Sequence, residues 1–231
     1  MVDELYEKPK EIKLTYFEKS LVIIFILLNG SISQAETLEQ HALDAVQKNY
    51  EKVLTYEAEF IQKSYIKMMD KTQDVKGTVS IKKPGKMKWS YGAPDTQILI
   101  SDGSTLWLYV PDEEQATKVP IESIYSSNTP ALFLAGKGKL MQTFNVESVN
   151  LDKDPIRITL TPKADDQALT RLQLFADKKN YQITGSTVYD KLGNKTEIRF
   201  SNIKTNREIP EKTFQFQAPA NVEVLDYTKP H

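Results

Sequence analysis

Catalysis in this chain would have to begin from very few groups. The sequence holds two histidines, His41 and His231, and no cysteine. A serine-type triad needs an imidazole beside its nucleophile, and a structural or catalytic metal centre needs more ligands than two imidazoles supply. His41 falls inside an amphipathic helical pattern and His231 is the last residue, so neither reads as a general base. Asp102-Gly103-Ser104 lacks the flanking glycine of a nucleophile elbow and has the composition of a hairpin turn. Gly136-Lys137-Gly138-Lys139 lacks the spacing of a phosphate loop. Asp112-Glu113-Glu114 follows Pro111 in a turn-like setting and reads as a solvated loop, and the sequon Asn194-Lys195-Thr196 is what a hairpin tip would carry for conformational reasons. With 30 basic and 31 acidic side chains there is no charge excess for gripping nucleic acid. The expectation is a protein with no enzymatic activity, cofactor, metal or nucleic-acid partner.

What the chain has in abundance is apolar side chains at alternating positions. Phe60, Trp89, Tyr91, Trp107 and Tyr109 fall within one run of consecutive strand-like segments. Periodicity alone reads these as an ordinary core. Against that stands a geometric point: a sheet covered by only a few short helices fills its concave face poorly, and a poorly filled apolar concavity is a ligand site.

The elements that would position these residues follow from the change of period along the chain. Thr37 and Gln40 have capping-box spacing, and Leu43, Val46, Tyr50, Val53 and Leu54 recur at helical intervals. From Tyr56 the period becomes two. Val75, Gly77, Val79 and Ile81 alternate with polar residues, as do Met87, Trp89 and Tyr91. Further strands are predicted at 96–101, 105–110, 115–119, 144–149, 156–161, 170–176, 182–189, 195–203 and 213–217, separated by turns such as Lys83-Pro84-Gly85 and Leu192-Gly193-Asn194. Tight turns imply antiparallel hairpins. Residues 121–142 break the pattern: Thr129-Pro130 and Gly136 bracket an apolar helical turn, Ala131 to Ala135, which needs a sheet to pack on. The fold expected is mainly β, a strongly curved antiparallel sheet (an unclosed β-barrel) whose concave apolar face is covered by a helical lid.

Residues 1–35 read as a cleaved signal peptide. Leu21 to Leu28 is an unbroken apolar run, too short for a membrane span of about 20 residues, and Ser33-Gln34-Ala35 is a small-x-small cleavage pattern. Residues 36–231 then form a single domain. Asp3, Glu4, Glu7, Glu11 and Glu18 make an unusual region ahead of such a run, which is the ground for expecting translation to begin downstream of Met1, at Val2 or Leu14.

These segments resemble the periplasmic outer-membrane lipoprotein carrier family, LolA. The resemblance rests on Phe60-Ile61-Gln62, on the stretch from Lys82 to Tyr109 with its basic-Pro-x-x-x-x-Trp and Asp-Gly-x-x-Leu-Trp-x-Tyr patterns, on Asn128-Thr129-Pro130, on Leu160-Thr161-Pro162-Lys163-Ala164 and on Phe214 to Pro219. It implies a periplasmic monomer that accepts acylated lipoproteins from an inner-membrane ABC transporter of the Lol type, shields their acyl chains and passes them to an outer-membrane receptor. The family's usual arginine before the motif proline, which holds the lid through backbone carbonyls, is Lys83 here, making Lys83 the expected lid latch. Its usual phenylalanine three residues after that proline is Met87. The expected lipid-facing set is Phe60, Met87, Trp89, Tyr91, Ile98, Ile100 and Leu108 from the sheet, with Ile124, Leu132 and Phe133 from the lid. Trp107 and Tyr109 are expected on the face opposite Leu108. The competing readings are an exported binder of another amphiphile such as a glycolipid, a lipid esterase, and a sensor of mislocalised lipoprotein. The missing histidines weigh against the second, and the lack of room for a further domain weighs against the third.

Overall fold

The computed structural model describes residues 38–121, 140–164 and 169–228. The chain divides into two compact units, Met1–His41 and Ala42–His231. Of the first, only the helical residues 38–41 are described, and the second carries the fold. The expected signal peptide at 1–35 and the apolar turn at 130–135 lie outside the described residues.

Helix α1 occupies residues 42–52 of the second unit. Ala42, Leu43, Val46 and Tyr50 are buried while Asp44, Lys48 and Glu51 are exposed, so one stripe is committed to packing. Leu54, expected to extend the stripe, lies beyond the helix end and is exposed.

The strands are β1 (Thr55–Ile66), β2 (Lys71–Lys82), β3 (Lys86–Tyr91), β4 (Gln97–Asp102), β5 (Thr105–Val110), β6 (Gln115–Pro120), β7 (Phe144–Asn150), β8 (Ile156–Pro162), β9 (Arg171–Ala176), β10 (Ile183–Tyr189), β11 (Lys195–Thr205) and β12 (Glu223–Asp226), with a single helical turn α2 (Leu140–Thr143) before β7. They form one 12-stranded sheet in the order β12-β6-β5-β4-β3-β2-β1-β11-β10-β9-β8-β7. Each arm is a run of consecutive hairpins, and β1 joins the arms by pairing with both β2 and β11. The end strands β12 and β7 do not pair, so the curved sheet stays unclosed.

The turns are built as their composition predicts. At the β4–β5 turn the Asp102 carboxylate accepts the N–H groups of Ser104 and Thr105, each at 2.8 Å, and Gly103 supplies a φ of 101° that other residues avoid. Burial alone would raise the Asp102 carboxyl, and these hydrogen bonds outweigh it, holding the group below its usual range.

The C-terminal region departs from expectation. Residues 213–217 are not a strand: Glu211–Phe214 is a 3-10 turn, because its backbone bonds locally, with Thr213 N–H donating to the Pro210 carbonyl and Gln215 N–H to that of Lys212. The strand comes later, as β12, and runs parallel to β6 at the sheet edge.

The two faces of the sheet have different cores. The inner, concave face carries Phe60, Val79, Ile81, Met87, Trp89, Leu106, Ile158, Leu160, Leu174, Ile198 and Phe200, in one cluster with the buried stripe of α1 and with Leu140 of α2. The outer face between β3 and β6 carries a separate patch that includes the buried Ile100 and Ala116, and the 3-10 turn that ends at the buried Phe214 packs on β3 and β4.

Candidate functional site

Chain alternation and strand pairing bring five aromatic side chains together on the concave face. Phe60 of β1 lies 5.2 Å from Trp89 and 5.1 Å from Tyr91 of β3, between ring centroids. Phe200 of β11 reaches Trp89 at 6.1 Å and Tyr56 at 5.5 Å. Such offset and edge-on contacts are the favoured packing of aromatic rings. The cluster needs one special position. Gly77, between β1 and β3, pairs with both Phe60 and Tyr91, and a Cβ there would lie 2.2 Å from the Ser90 carbonyl oxygen and 2.5 Å from the Phe60 ring. Only a residue without a side chain lets Phe60 swing across β2 towards β3.

The cluster is apolar but carries polar handles. The Trp89 indole N–H and the Ser186 hydroxyl are buried and have no hydrogen-bond partner among the described residues. The Tyr56 hydroxyl donates to the Ile183 carbonyl at 3.4 Å. Burial pushes the Tyr91 phenol up to about 12 and the Tyr56 phenol further still, so both stay neutral donors.

Register decides the face of each remaining candidate. Met87 pairs with Ser101 and Trp89 with Leu99, and Leu99 pairs with Leu108. Residues directly opposite in a ladder share a face, so Met87, Trp89, Leu99 and Leu108 lie together on the concave side. Ile98 and Ile100 do not. They pair with Ser90 and Lys88 and with Tyr109 and Trp107, which places them on the convex face. The expectation for these two isoleucines is corrected: each strand offers two alternating apolar sets, and only the hairpin register says which faces in. Trp107 and Tyr109 do lie opposite Leu108, where both pack on Phe216 at 5.3 Å. Ile124, Leu132 and Phe133 lie outside the described residues.

Lys83 sits where β2 ends, against the last turn of α1. Its ammonium donates to the Tyr50 carbonyl and stands 3.5 Å from the centre of the Tyr50 ring, while its N–H donates to the Leu54 carbonyl at 2.9 Å. The acceptor is one of the carbonyls a helix leaves unpaired at its C-terminus, where a cation is also favoured by the helix dipole. Burial pulls Lys83 down to about 8, with nearby Glu51 opposing. Lys83 thus tethers α1 to the sheet, beside a narrow apolar crevice lined by Tyr50, Val53, Tyr56, Ile81 and Ile183. Its relation to residues 122–139 lies outside the described residues.

Leu99, Leu106, Val119, Tyr56 and Phe200 belong to the concave cluster and were not among the predicted residues. For Leu99, Leu106 and Val119 the missing information was register. For Phe200 the signal was present, since Ile198 and Phe200 alternate within a predicted strand. Among the described residues there is no grouping of His, Asp and Glu that could hold a metal ion, and no helix is long and apolar enough to cross a membrane.

Comparison with known proteins follows the same lines. The family model described as "Outer membrane lipoprotein carrier protein LolA" matches residues 51–217. An outer-membrane lipoprotein carrier protein of Hahella chejuensis is 34% identical over 201 residues, covering 86% of this chain and 93% of that protein. One from Chromohalobacter salexigens is 33% identical over 210 residues, covering 90% and 97%. Among solved structures, an uncharacterized conserved protein from Thermus thermophilus superposes with a TM-score of 0.51 at 14% identity, over 81% of this chain and 98% of that one, a likeness of fold alone.

Proposed function

The chain belongs to the outer-membrane lipoprotein carrier family, LolA, and from that premise we propose how its concave face handles a lipid anchor. The protein is a lipoprotein carrier. The observation that carries the mechanism is the covered aromatic face: Phe60, Met87 and Trp89 are fully buried, and their cover is in part a helix tethered through Lys83. Rings packed this closely leave no room between them for an acyl chain, so loading requires the cover to move and the rings to repack. Burial of acyl chain contributes about 0.8 kcal/mol per CH₂, which is ample to shift a population towards an open state. Met87, unbranched and flexible, suits a wall that must take more than one shape.

The indole N–H of Trp89, without a partner among the described residues, fits the same reading. A buried donor without an acceptor costs about 1–3 kcal/mol. An ester or amide carbonyl of the anchor would satisfy it, so cargo offers the indole what its packed neighbours do not.

The wider pathway is carried over from the family as a proposal. Residues 1–35 direct export and are removed, and residues 36–231 work in the periplasm as a carrier rather than an enzyme. A Lol-type ABC transporter in the inner membrane supplies acylated lipoprotein, and an outer-membrane receptor takes it.

The test is release of lipoprotein. Spheroplasts bearing newly made lipoprotein and the transporter are incubated with the purified protein, and the supernatant is resolved by gel filtration. A soluble complex with intact acylated lipoprotein supports the reading, and Lys83→Leu is then expected to lower its yield. Absence of the complex, with a folded protein and an active transporter, would overturn it in favour of another amphiphile, to be sought in lipid extracts of the protein from its own compartment.

A further inference from the structure

The two most exposed large apolar side chains in the described residues, Met68 and Leu192, lie at one end of the sheet. Met68 and Met69, 93% and 62% exposed, form the turn between β1 and β2, and Leu192, 77% exposed, forms the turn between β10 and β11. These two turns are neighbours and are locked together. Tyr65 pairs with Lys195, the Lys67 N–H donates to the Asn194 side-chain oxygen at 2.9 Å, and the Lys67 stem lies over Gly193. The β1–β2 hairpin also overhangs the sheet on one side, because β3 stops at Tyr91 opposite Gly77 and leaves Lys71–Lys76 of β2 without a β3 partner. The result is a braced prong with an apolar point.

The charges around that point lean basic, with Lys67, Lys71 and Lys191 against Asp70 and Asp190. Lys67, Lys71 and Lys191 are exposed beside the methionines and the leucine. The acidic residues of the two turns are engaged within them: Asp70 accepts from the Tyr65 hydroxyl at 3.1 Å, and Asp190 accepts from the Asn194 N–H and side-chain amide at 2.8 Å each.

We propose that the paired β1–β2 and β10–β11 tips are a docking prong for an anionic phospholipid surface. The chemistry selects this occupant. Flexible methionines and a leucine on a protruding point suit a fluid interior rather than a shaped pocket. A collar of lysines at the base of the point meets phosphate headgroups at the depth where the apolar side chains enter. Three apolar side chains and a few lysines give weak, reversible adsorption, not anchoring. A carrier that must meet membranes and leave them has use for that. The proposal stands on the prong alone and is independent of what the concave face binds.

The test exploits the absence of native cysteine. Met68→Cys, and separately Lys153→Cys in the exposed β7–β8 turn at the opposite end of the sheet, are labelled with an environment-sensitive fluorophore in the full chain. Each is mixed with protein-free vesicles of phosphatidylcholine containing a quarter phosphatidylglycerol, and with vesicles of phosphatidylcholine alone. The label at 68 is expected to shift to the blue on anionic vesicles only, with the shift falling several-fold in 0.5 M salt, and the label at 153 to stay unchanged. In vesicle flotation of unlabelled protein, Met68→Ser/Met69→Ser/Leu192→Ser is expected to lose at least 10-fold in bound fraction, with circular dichroism and lipoprotein release per folded molecule retained. No blue shift at 68 on either vesicle overturns the proposal. Equal shifts at 68 and 153 overturn it as well, as non-specific adsorption.

Discussion

The two faces of one hairpin, β4–β5, carry apolar side chains of similar kind and have opposite fates. On the concave side Leu99 and Leu106 join Trp89 and Met87 in the cluster that also holds the buried stripe of α1, the helix tethered through Lys83, and Leu108 shares that face by register. On the convex side the chain itself lies against the sheet: Phe216 packs on Trp107 and Tyr109, the 3-10 turn that ends at Phe214 packs on β3 and β4, β12 pairs with β6 beyond, and Glu211 accepts from both Lys82 and Lys86 at 2.5 Å. One apolar face has a permanent cover that is held along its length. For the other we propose a cover that lifts, a helix whose last turn is tied by Lys83. Apolar alternation marks both faces equally, so what distinguishes a ligand surface from a core is how its cover is attached.

The sharpest way to break that distinction is to cut one large side chain from each face. Phe214→Ala and Trp89→Ala are both expected to cost about 3–5 kcal/mol in urea unfolding, since both rings are fully buried. Lipoprotein release per folded molecule is expected to survive the first and fall sharply in the second. Equal loss in both would show that the convex strap takes part in carrying and would end the comparison as drawn. Trp89→Phe sharpens it further, because it keeps an aromatic ring and removes the indole N–H. The expected result is unchanged or slightly higher stability with weaker cargo retention.

Gly77→Ala comes next in size. The added Cβ meets a backbone carbonyl as well as the Phe60 ring, so the hairpin itself must shift, at about 1–3 kcal/mol. The Phe60–Trp89–Tyr91 packing should loosen with it, read as a change in tryptophan fluorescence. An unaltered spectrum would mean that the cluster does not depend on the close approach at Gly77.

Much of this architecture was legible in the chain before its structure. Alternation located β1 to β11, turn chemistry located the hairpins, and the stripe Leu43, Val46, Tyr50 located the covering helix. What could not be read was register. Ile98 and Leu99 are adjacent and equally apolar, and a shift of one residue in pairing exchanges their faces. Strand β12 was missed because Glu223-Val224-Leu225-Asp226 is four residues with little alternation, and it is held by an edge offered from β6. Phe214 and Phe216 alternate as a strand would, yet they dock on the convex patch from a 3-10 turn and an irregular segment. Their spacing was a true signal of packing and a false one of conformation. Lys83 was expected as a lid latch only through the family resemblance, its relation to that lid lies outside the described residues, and its acceptor at the end of α1 was not legible.

The ties that hold the two covers differ in their response to pH. Lys82 and Lys86 hold the Glu211 carboxyl down at about 2, from an ordinary 4.5. A folded value below the unfolded one means that this tie is fully present above the unfolded value and is lost as pH falls through about 2. Exchange protection of the Thr213 and Gln215 amides, in the 3-10 turn that carries Glu211, should therefore hold from neutral pH down to about 4 and drop below it. In Glu211→Gln it should be lower throughout and flat with pH, and a persistent acid transition in that variant would assign the effect to another carboxylate.

The smallest effect concerns the other cover. Lys83 titrates at about 8 in the folded protein, against 10.5 when unfolded, because burial disfavours its charge more than Glu51 restores it. Between those two values the unfolded chain binds the proton more tightly, so stability rises with pH across that window and is lowest, as far as Lys83 is concerned, below about 8. At neutral pH the helix is thus tethered by an ammonium held at a desolvation cost, partly offset by the Tyr50 carbonyl and ring. Lys83→Met removes the cost and the tether together. Its urea midpoint is expected to differ little from wild type at pH 7 and to show none of the wild-type rise from pH 8 to 10.5. Its α1 amides should exchange faster all the same, since the Lys83 ammonium no longer donates to the Tyr50 carbonyl. A variant that kept the rise would place the titration elsewhere, and one that kept full α1 protection would mean that packing of Ala42, Leu43 and Val46 holds the helix without help. The cover of the concave face would then be no easier to lift than the strap on the convex one.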